Sequence, residues 1–213
     1  MDNETQHGDG MLVLIRHGES EWNAKNIWTG LTDIGLTPKG EDEARACAGK
    51  LTDIQFNSAF TSNLKRANET LRIVLETPGQ TGVTVTRNAA LNERDYGIYT
   101  GKNKLEIHAS LGDREFLKLR RGWDYPIPSG ESLKQVYGRV IPYYMEHIAP
   151  LLREEKHVLV VAHGNSLRAL IKYLDHVSDE QICNVELATG ELVLYHIDSA
   201  GAVVSRESRH AAD

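Results

Sequence analysis

Arg16-His17 closes an apolar run, Leu12-Val13-Leu14-Ile15, and Gly18 follows it. Far downstream the arrangement recurs, with Val158-Leu159-Val160-Val161-Ala162 running into His163-Gly164. Neutral imidazole, with an unperturbed pKa of about 6.5, is a competent nucleophile near neutral pH. Attack on a phosphoryl group gives a phosphohistidine that can pass its phosphate onward. Arg16 beside His17 disfavours imidazolium and can organise phosphate oxygens. His163 at the start of a helix adds a donor beside backbone N–H groups that favour anions. Taken singly, each histidine reads more simply as a structural or surface residue. Two of them, each at the carboxyl end of a buried strand and each followed by Gly, stand where open α/β sheets bind ligands.

Phosphoryl transfer needs positioning and charge neutralisation more than covalent help. The sequence contains no His-x-His, His-Glu-x-x-His or Asp-x-Asp loop, so no metal site is expected and cationic side chains must neutralise the phosphate. Arg66 follows Thr61-Ser62-Asn63-Leu64-Lys65 at a helix start, and Arg94, Lys104, Arg120 and Arg121 lie further on. Any one of these alone reads as a solvated charge. Glu93, in Leu91-Asn92-Glu93-Arg94, is placed to act as general acid and base on a substrate hydroxyl, or equally to form a surface ion pair. Two near-motifs fail. Gly97-Ile98-Tyr99-Thr100-Gly101-Lys102-Asn103 is one residue short of a P-loop and lacks its Ser/Thr. Gly164-Asn165-Ser166 resembles a hydrolase elbow, but Arg168 stands where the second Gly belongs.

The elements that must position these residues alternate. Strands are expected at about Met11–Arg16, Ser58–Thr61, Val83–Arg87, Val158–Ala162, Leu192–Ile197 and Ala202–Ser205, the last two as a hairpin at the sheet edge. Thr37-Pro38 reads as an N-cap with Pro at the first helical position, opening a helix to about Leu51. Ser62 reads as the cap of a helix carrying Leu64, Ala67, Leu71 and Val74, and Ser178-x-x-Gln181 as a capping box. Leu133, Val136, Tyr137, Val140, Ile141, Tyr144, Met145 and Ile148 keep helical spacing, with Pro142 expected to bend the helix. A further helix should follow His163-Gly164, over Asn165–Leu174. Residues 91–130 lack a clear period apart from helical stretches near Lys104–Leu111 and Arg114–Arg121, and read as an active-site cap. The pattern implies a three-layer α/β/α sandwich around a mostly parallel central sheet. One domain is expected over residues 11–206, with a disordered leader at 1–10 and a flexible tail at 207–213.

The chain has 213 residues, 25% of them charged, and a net charge of -6. That balance argues against a non-specific nucleic-acid binder, and an anionic substrate must then be drawn in by local positive charge. Cys47 and Cys183 are the two cysteines and form no Cys-x-x-Cys, so reduced thiols are expected. Without a signal peptide or a run of about 20 apolar residues, neither membrane insertion nor export is expected, and the cytoplasm is the expected location.

Arg16-His17-Gly18-Glu19-Ser20-x-Trp22-Asn23 resembles the signature of the histidine phosphatase superfamily, in the form carried by cofactor-dependent phosphoglycerate mutases. The likeness continues through Thr29-Gly30, Thr61-Ser62-x-Leu64-Lys65-Arg66-Ala67, Leu91-Asn92-Glu93-Arg94-x-Tyr96-Gly97, Gly101-x-Asn103-Lys104, Arg120-Arg121-Gly122, Gly130-Glu131-Ser132-Leu133 and Ala162-His163-Gly164-Asn165. The resemblance implies that His17 is phosphorylated by 2,3-bisphosphoglycerate, with no metal. It implies that Arg16, Arg66, His163 and Asn23, with the Gly164 backbone, hold the transferring phosphate and that Glu93 is the acid/base. By the same resemblance Ser20, Thr29, Gly30, Tyr96, Lys104, Arg120, Arg121 and Asn165 bind the rest of the substrate. The reaction implied is the interconversion of 3-phosphoglycerate and 2-phosphoglycerate in glycolysis, by a homodimer or higher homo-oligomer. A phosphatase acting on small phosphate esters is the alternative within the superfamily. A phosphopeptide-binding module that has lost catalysis is the alternative outside it. Departures are the short stretch Gly122–Gly130, the short tail after Ser205, and Asp95 where many relatives carry His.

Overall fold

The computed structural model describes residues 9–80 and 82–210. Six strands form one sheet: β1 (Gly10–Arg16), β2 (Ser58–Thr61), β3 (Thr84–Arg87), β4 (His157–Ala162), β5 (Glu191–Ile197) and β6 (Val203–His210). Their order is β3-β2-β4-β1-β5-β6. The pairs β2·β3, β2·β4 and β1·β4 are parallel, while β1·β5 and β5·β6 are antiparallel.

The unbroken apolar runs of β1 and β4 follow from helices covering both faces of the sheet. Leu12, Leu14, Val158, Val160 and Ala162 join one core cluster with residues of helices α5 (Leu133–Tyr143), α6 (Ala149–Arg153) and α7 (Gly164–Leu174). Val13, Ile15, Leu159 and Val161 join the other, with residues of α2 (Pro38–Gly49) and α3 (Lys65–Glu76). Alternate residues of one strand thus serve opposite layers, giving the three-layer sandwich expected. Leu14 is fully buried at the centre of β1, between Val160 and Val193. Leu14→Ala should lower unfolding free energy by about 3 kcal/mol in a urea titration. A loss below about 1 kcal/mol would mean that the layers close over the void.

Helix α2 starts as the sequence indicates: the Thr37 hydroxyl accepts from the Gly40 N–H at 3.1 Å, and Pro38 is its first residue. Helix α3 starts later than expected, with Leu64 as N-cap. Asp33 Oδ1 takes the Lys65 N–H at 2.6 Å, while the Ser62 hydroxyl is drawn to His163. The expected pair of helical stretches in the cap is α4 (Lys104–Arg121), broken where Gly112 turns to φ +75°. Beyond Pro142, α5 passes into a π-helical turn over Tyr144–Ile148. Ser178 accepts from the Gln181 N–H at 3.2 Å, but it caps only a short 3-10 turn, Gln181–Asn184. A four-residue helix, α1 (Glu21–Ala24), succeeds the first strand.

Both expected terminal boundaries shift. Gly10 already belongs to β1, and the remainder of the expected leader, residues 1–8, lies outside the described residues apart from Asp9. The expected tail is structured through His210, because Glu207, Ser208 and Arg209 pair with Leu194, Val193 and Leu192, and Arg209 also forms an ion pair with Asp53. Residues 211–213 lie outside the described residues.

Candidate active site

The register of β1 on β4 puts Arg16 opposite Ala162, so the next residues, His17 and His163, leave the sheet side by side. The His17 N–H donates to the Ala162 carbonyl at 3.0 Å. The two rings lie edge to face, 4.9 Å between centroids, and both are buried. The chain runs from β1 towards α2 on one face and from β4 into α7 on the other, which opens a crevice between the two strand ends. Gly18 is required where the turn meets α2: a Cβ there would run into the Gly40 carbonyl.

His17 Nδ1 lies 2.7 Å from the Gly18 carbonyl, so it carries the proton and Nε2 holds the lone pair. Arg66 Nε donates to that Nε2 at 3.3 Å. Burial, then Arg66 and Arg16, hold the His17 pKa well below its ordinary value, so the ring stays neutral. Burial, Arg66 and His17 do the same for His163. His163 Nε2 lies 2.7 Å from the Ser62 hydroxyl, which already accepts the Leu64 N–H at 3.1 Å. The Ser62 proton therefore goes to Nε2, leaving a protonated, buried Nδ1 with no partner.

A cavity opens over these groups, lined by Arg16, His17, Asn23, Thr29, Gly30, Arg66, Glu93, Tyr96, Lys104, Arg120, Arg121, Gly164 and Asn165 among the residues expected from the sequence. Arg66, 1% exposed, is aimed by the carbonyls of Gly30 at 2.9 Å and Thr32 at 3.0 Å. Asn23 Oδ1 accepts from the Ser20 N–H and hydroxyl, which leaves its amide N–H groups for the cavity. Ser20 is the correction here: it is buried behind Asn23, at the N-cap of α1, and does not line the cavity. His163 likewise stands behind His17, off the cavity wall.

Glu93 Oε1 accepts three N–H groups: Arg94 N at 2.7 Å, Asn165 N at 3.2 Å and Asn165 Nδ2 at 3.0 Å. Oε2 remains on the side of Gly164 and the Arg16 guanidinium. Asn165 Nδ2 also donates to the Tyr96 hydroxyl at 2.9 Å.

Sequence reasoning missed Trp28, Arg168, Glu186 and Leu187 on the wall. Arg168 donates to Asn165 Oδ1 at 3.0 Å, setting the amide orientation that Glu93 depends on. Burial, then Arg94 and Arg121, bring the Arg168 pKa down to about 10. Arg139, off the wall, donates to the carbonyls of Ala90, Asn92 and Glu93 and fixes the Glu93 backbone. Arg94 is buried away from the cavity, where it holds the Leu119 carbonyl at 2.9 Å near the end of α4.

Buried Arg16 Nε, Thr29 Oγ1 and His163 Nδ1 lack partners among the described residues. An unsatisfied buried polar atom costs about 1–3 kcal/mol, and an oxyanion in the crevice would satisfy these. Burial, then Arg120 and Arg16, push the Lys104 pKa down to about 8. The charged form is lost as pH rises through that value, so anion affinity should weaken about tenfold between about pH 7 and about pH 9. Titrating an anionic ligand across this range tests it: Lys104→Met should bind weakly throughout and lose this pH dependence, and an unchanged slope would clear Lys104 of the role.

A sequence profile described as histidine phosphatase superfamily (branch 1) matches residues 12–208. The 2,3-bisphosphoglycerate-dependent phosphoglycerate mutase of Parvibaculum lavamentivorans is 47% identical over 92% of this chain and 95% of its own. The protein of the same description from Nitrobacter hamburgensis is 48% identical over 92% of this chain and 96% of its own. Among solved structures, Bacillus stearothermophilus YhfR superposes with a TM-score of 0.78 at 25% identity, covering 91% of this chain and 94% of that one. A mycobacterial glucosyl-3-phosphoglycerate phosphatase superposes with a TM-score of 0.80 at 24% identity, covering 93% and 97%, a likeness of fold alone.

Proposed function

The chain belongs to branch 1 of the histidine phosphatase superfamily, and from that premise we propose that it interconverts 3-phosphoglycerate and 2-phosphoglycerate through a phosphohistidine at His17. The observation that carries this reading is one cavity with two groups of cations. Arg16 and Arg66 stand at the nucleophile, and α4 contributes Lys104, Arg120 and Arg121. A mutase must hold a second anionic group while the first is transferred, whereas a phosphatase needs only the site at the nucleophile and a path for water.

The residues fit 2,3-bisphosphoglycerate as the priming cofactor, since unpartnered Arg16 Nε and His163 Nδ1 flank the nucleophile. When bound, it supplies the phosphoryl group that His17 carries into the first turnover. Arg16, Arg66, His163, Asn23 and the Gly164 N–H would hold that group. Thr29, Tyr96, Lys104, Arg120, Arg121 and Asn165 would hold the remainder, and Gly30 acts through its carbonyl on Arg66.

His17 Nε2 is the nucleophilic atom, because Nδ1 is committed to Gly18. Phospho-His17 gives its phosphoryl group to the substrate hydroxyl. The P–N bond breaks as a P–O bond forms, its electron pair returns to Nε2, and Glu93 Oε2 takes the hydroxyl proton. In the return half Nε2 attacks the other phosphoryl group, that P–O bond breaks, and Glu93 gives the proton to the departing oxygen. Arg66 Nε–H, beside Nε2, stabilises charge on the phosphoryl oxygens in both halves. No three His, Cys, Asp or Glu side chains cluster as metal ligands among the described residues, and we assign neutralisation to the arginines and Lys104.

The described residues include no helix long and apolar enough to cross a membrane. We infer a cytoplasmic location and a homodimer or higher homo-oligomer together with this activity. The test is the rate of isomer formation from 3-phosphoglycerate with and without 2,3-bisphosphoglycerate, against the rate of phosphate release. The cofactor should stimulate isomerisation, and isomerisation should outrun release. Phosphate release outrunning isomerisation in the primed protein would make this a phosphatase.

A further inference from the structure

We propose that Glu186 is a built-in competitor for the Arg120–Arg121 end of the cavity, holding those guanidinium groups until a ligand oxyanion displaces it. This rests on the reading of the cavity as a phosphoglycerate site. The Glu186 carboxylate is ion-paired with Arg121 Nη2 and lies 3.9 Å from Arg120 Nη2. It lines the cavity together with both arginines. A ligand anion seeking the same donors must therefore break an existing charge-assisted contact and then tolerate a like charge beside it.

The geometry makes this a side-chain movement and not a loop movement. The Val185 carbonyl accepts from Arg121 Nη1 at 3.3 Å and from Arg168 Nε at 3.0 Å. The Leu187 carbonyl accepts from Arg16 Nη1 at 2.8 Å. The backbone on both sides of Glu186 is thus held by three arginines, while the Glu186 side chain is 54% exposed against 13% for Arg121. There is room to turn: an open cleft outside α4, lined by Phe116, Leu117, Cys183 and Asn184, shares Arg120, Arg121 and Glu186 with the cavity. A multiply charged ligand that reaches both groups of cations displaces the carboxylate readily. A lone small anion, with less charge to offer, is kept out. Glu186 on this account is a specificity-determining residue.

The opposite view, that Glu186 only steadies the arginines, predicts the opposite sign. Binding of 3-phosphoglycerate and of sulfate to the unphosphorylated protein should be measured by calorimetry for wild type, Glu186→Gln and Glu186→Ala. Both variants should bind both anions about tenfold more tightly, the scale of one regained contact to a charged group. KM for 3-phosphoglycerate should fall with kcat nearly unchanged, the mark of uniform binding. Unchanged or weaker binding in both variants, with melting temperatures equal to wild type, would overturn the proposal. Failure of the functional reading is distinct: a wild-type protein that binds these anions but forms no isomer contradicts the mutase and leaves the Glu186 result to stand.

Discussion

His17→Ala is expected to abolish turnover, with kcat for isomerisation falling by at least about 10⁴-fold, the scale seen when the nucleophile of a covalent mechanism is removed. The size follows from the position of the ring. Nε2 is the lone-pair nitrogen, Arg66 Nε is 3.3 Å from it, and the ring is 3% exposed. His163 offers no substitute, since its Nε2 is engaged by Ser62 and its Nδ1 carries a proton. Because burial, Arg66 and Arg16 hold His17 neutral, its loss removes a nucleophile without uncovering a buried charge, and the variant should stay folded. Calorimetric binding of 3-phosphoglycerate checks that the cavity survives. A His17→Ala protein that still isomerises within about tenfold of wild type would place the chemistry elsewhere.

Glu93→Gln is expected to lower isomerisation by about 10²–10⁴-fold, the range for loss of a positioned acid/base. Glutamine can keep its carbonyl oxygen on the Arg94 and Asn165 N–H groups, so the loss falls on proton transfer at Oε2. A substrate with a good leaving group separates this role from a structural one. Transfer from p-nitrophenyl phosphate needs no proton on the departing oxygen, so Glu93→Gln should slow it by less than about tenfold. Equal losses on both substrates would mean that Glu93 holds the site together and moves no proton.

The fold was legible where physics leaves one reading. A strand covered on both faces admits no polar positions, so Leu12–Ile15 and Val158–Ala162 announced themselves, as did Thr37-Pro38 at the start of α2. The nucleophile and its cations were legible as residues. Their meeting depends on the β1·β4 register, which side-chain packing across the sheet decides. What sequence could not reach were charged residues whose partners are backbone carbonyls. Arg94, Arg139 and Arg168 look like solvated charges in a one-dimensional reading, yet each is held by carbonyls of distant segments. Glu186 carries no periodic signal and acquires meaning only when α4 brings Arg120 and Arg121 beside it. Ser62 and Ser20 show the converse. Both are good caps by type, but His163 and Asp33 redirect the first, while the second serves α1 and leaves the cavity to Asn23.

The central claim is a phosphoryl group on Nε2 of His17, and the mass of the intact protein after incubation with 2,3-bisphosphoglycerate reads it directly. The account predicts the addition of one phosphate, labile in acid and stable in base, that transfers to 3-phosphoglycerate on its addition and is absent from His17→Ala. A wild-type protein that turns over 3-phosphoglycerate while no such adduct forms, or whose adduct survives the loss of His17, contradicts it.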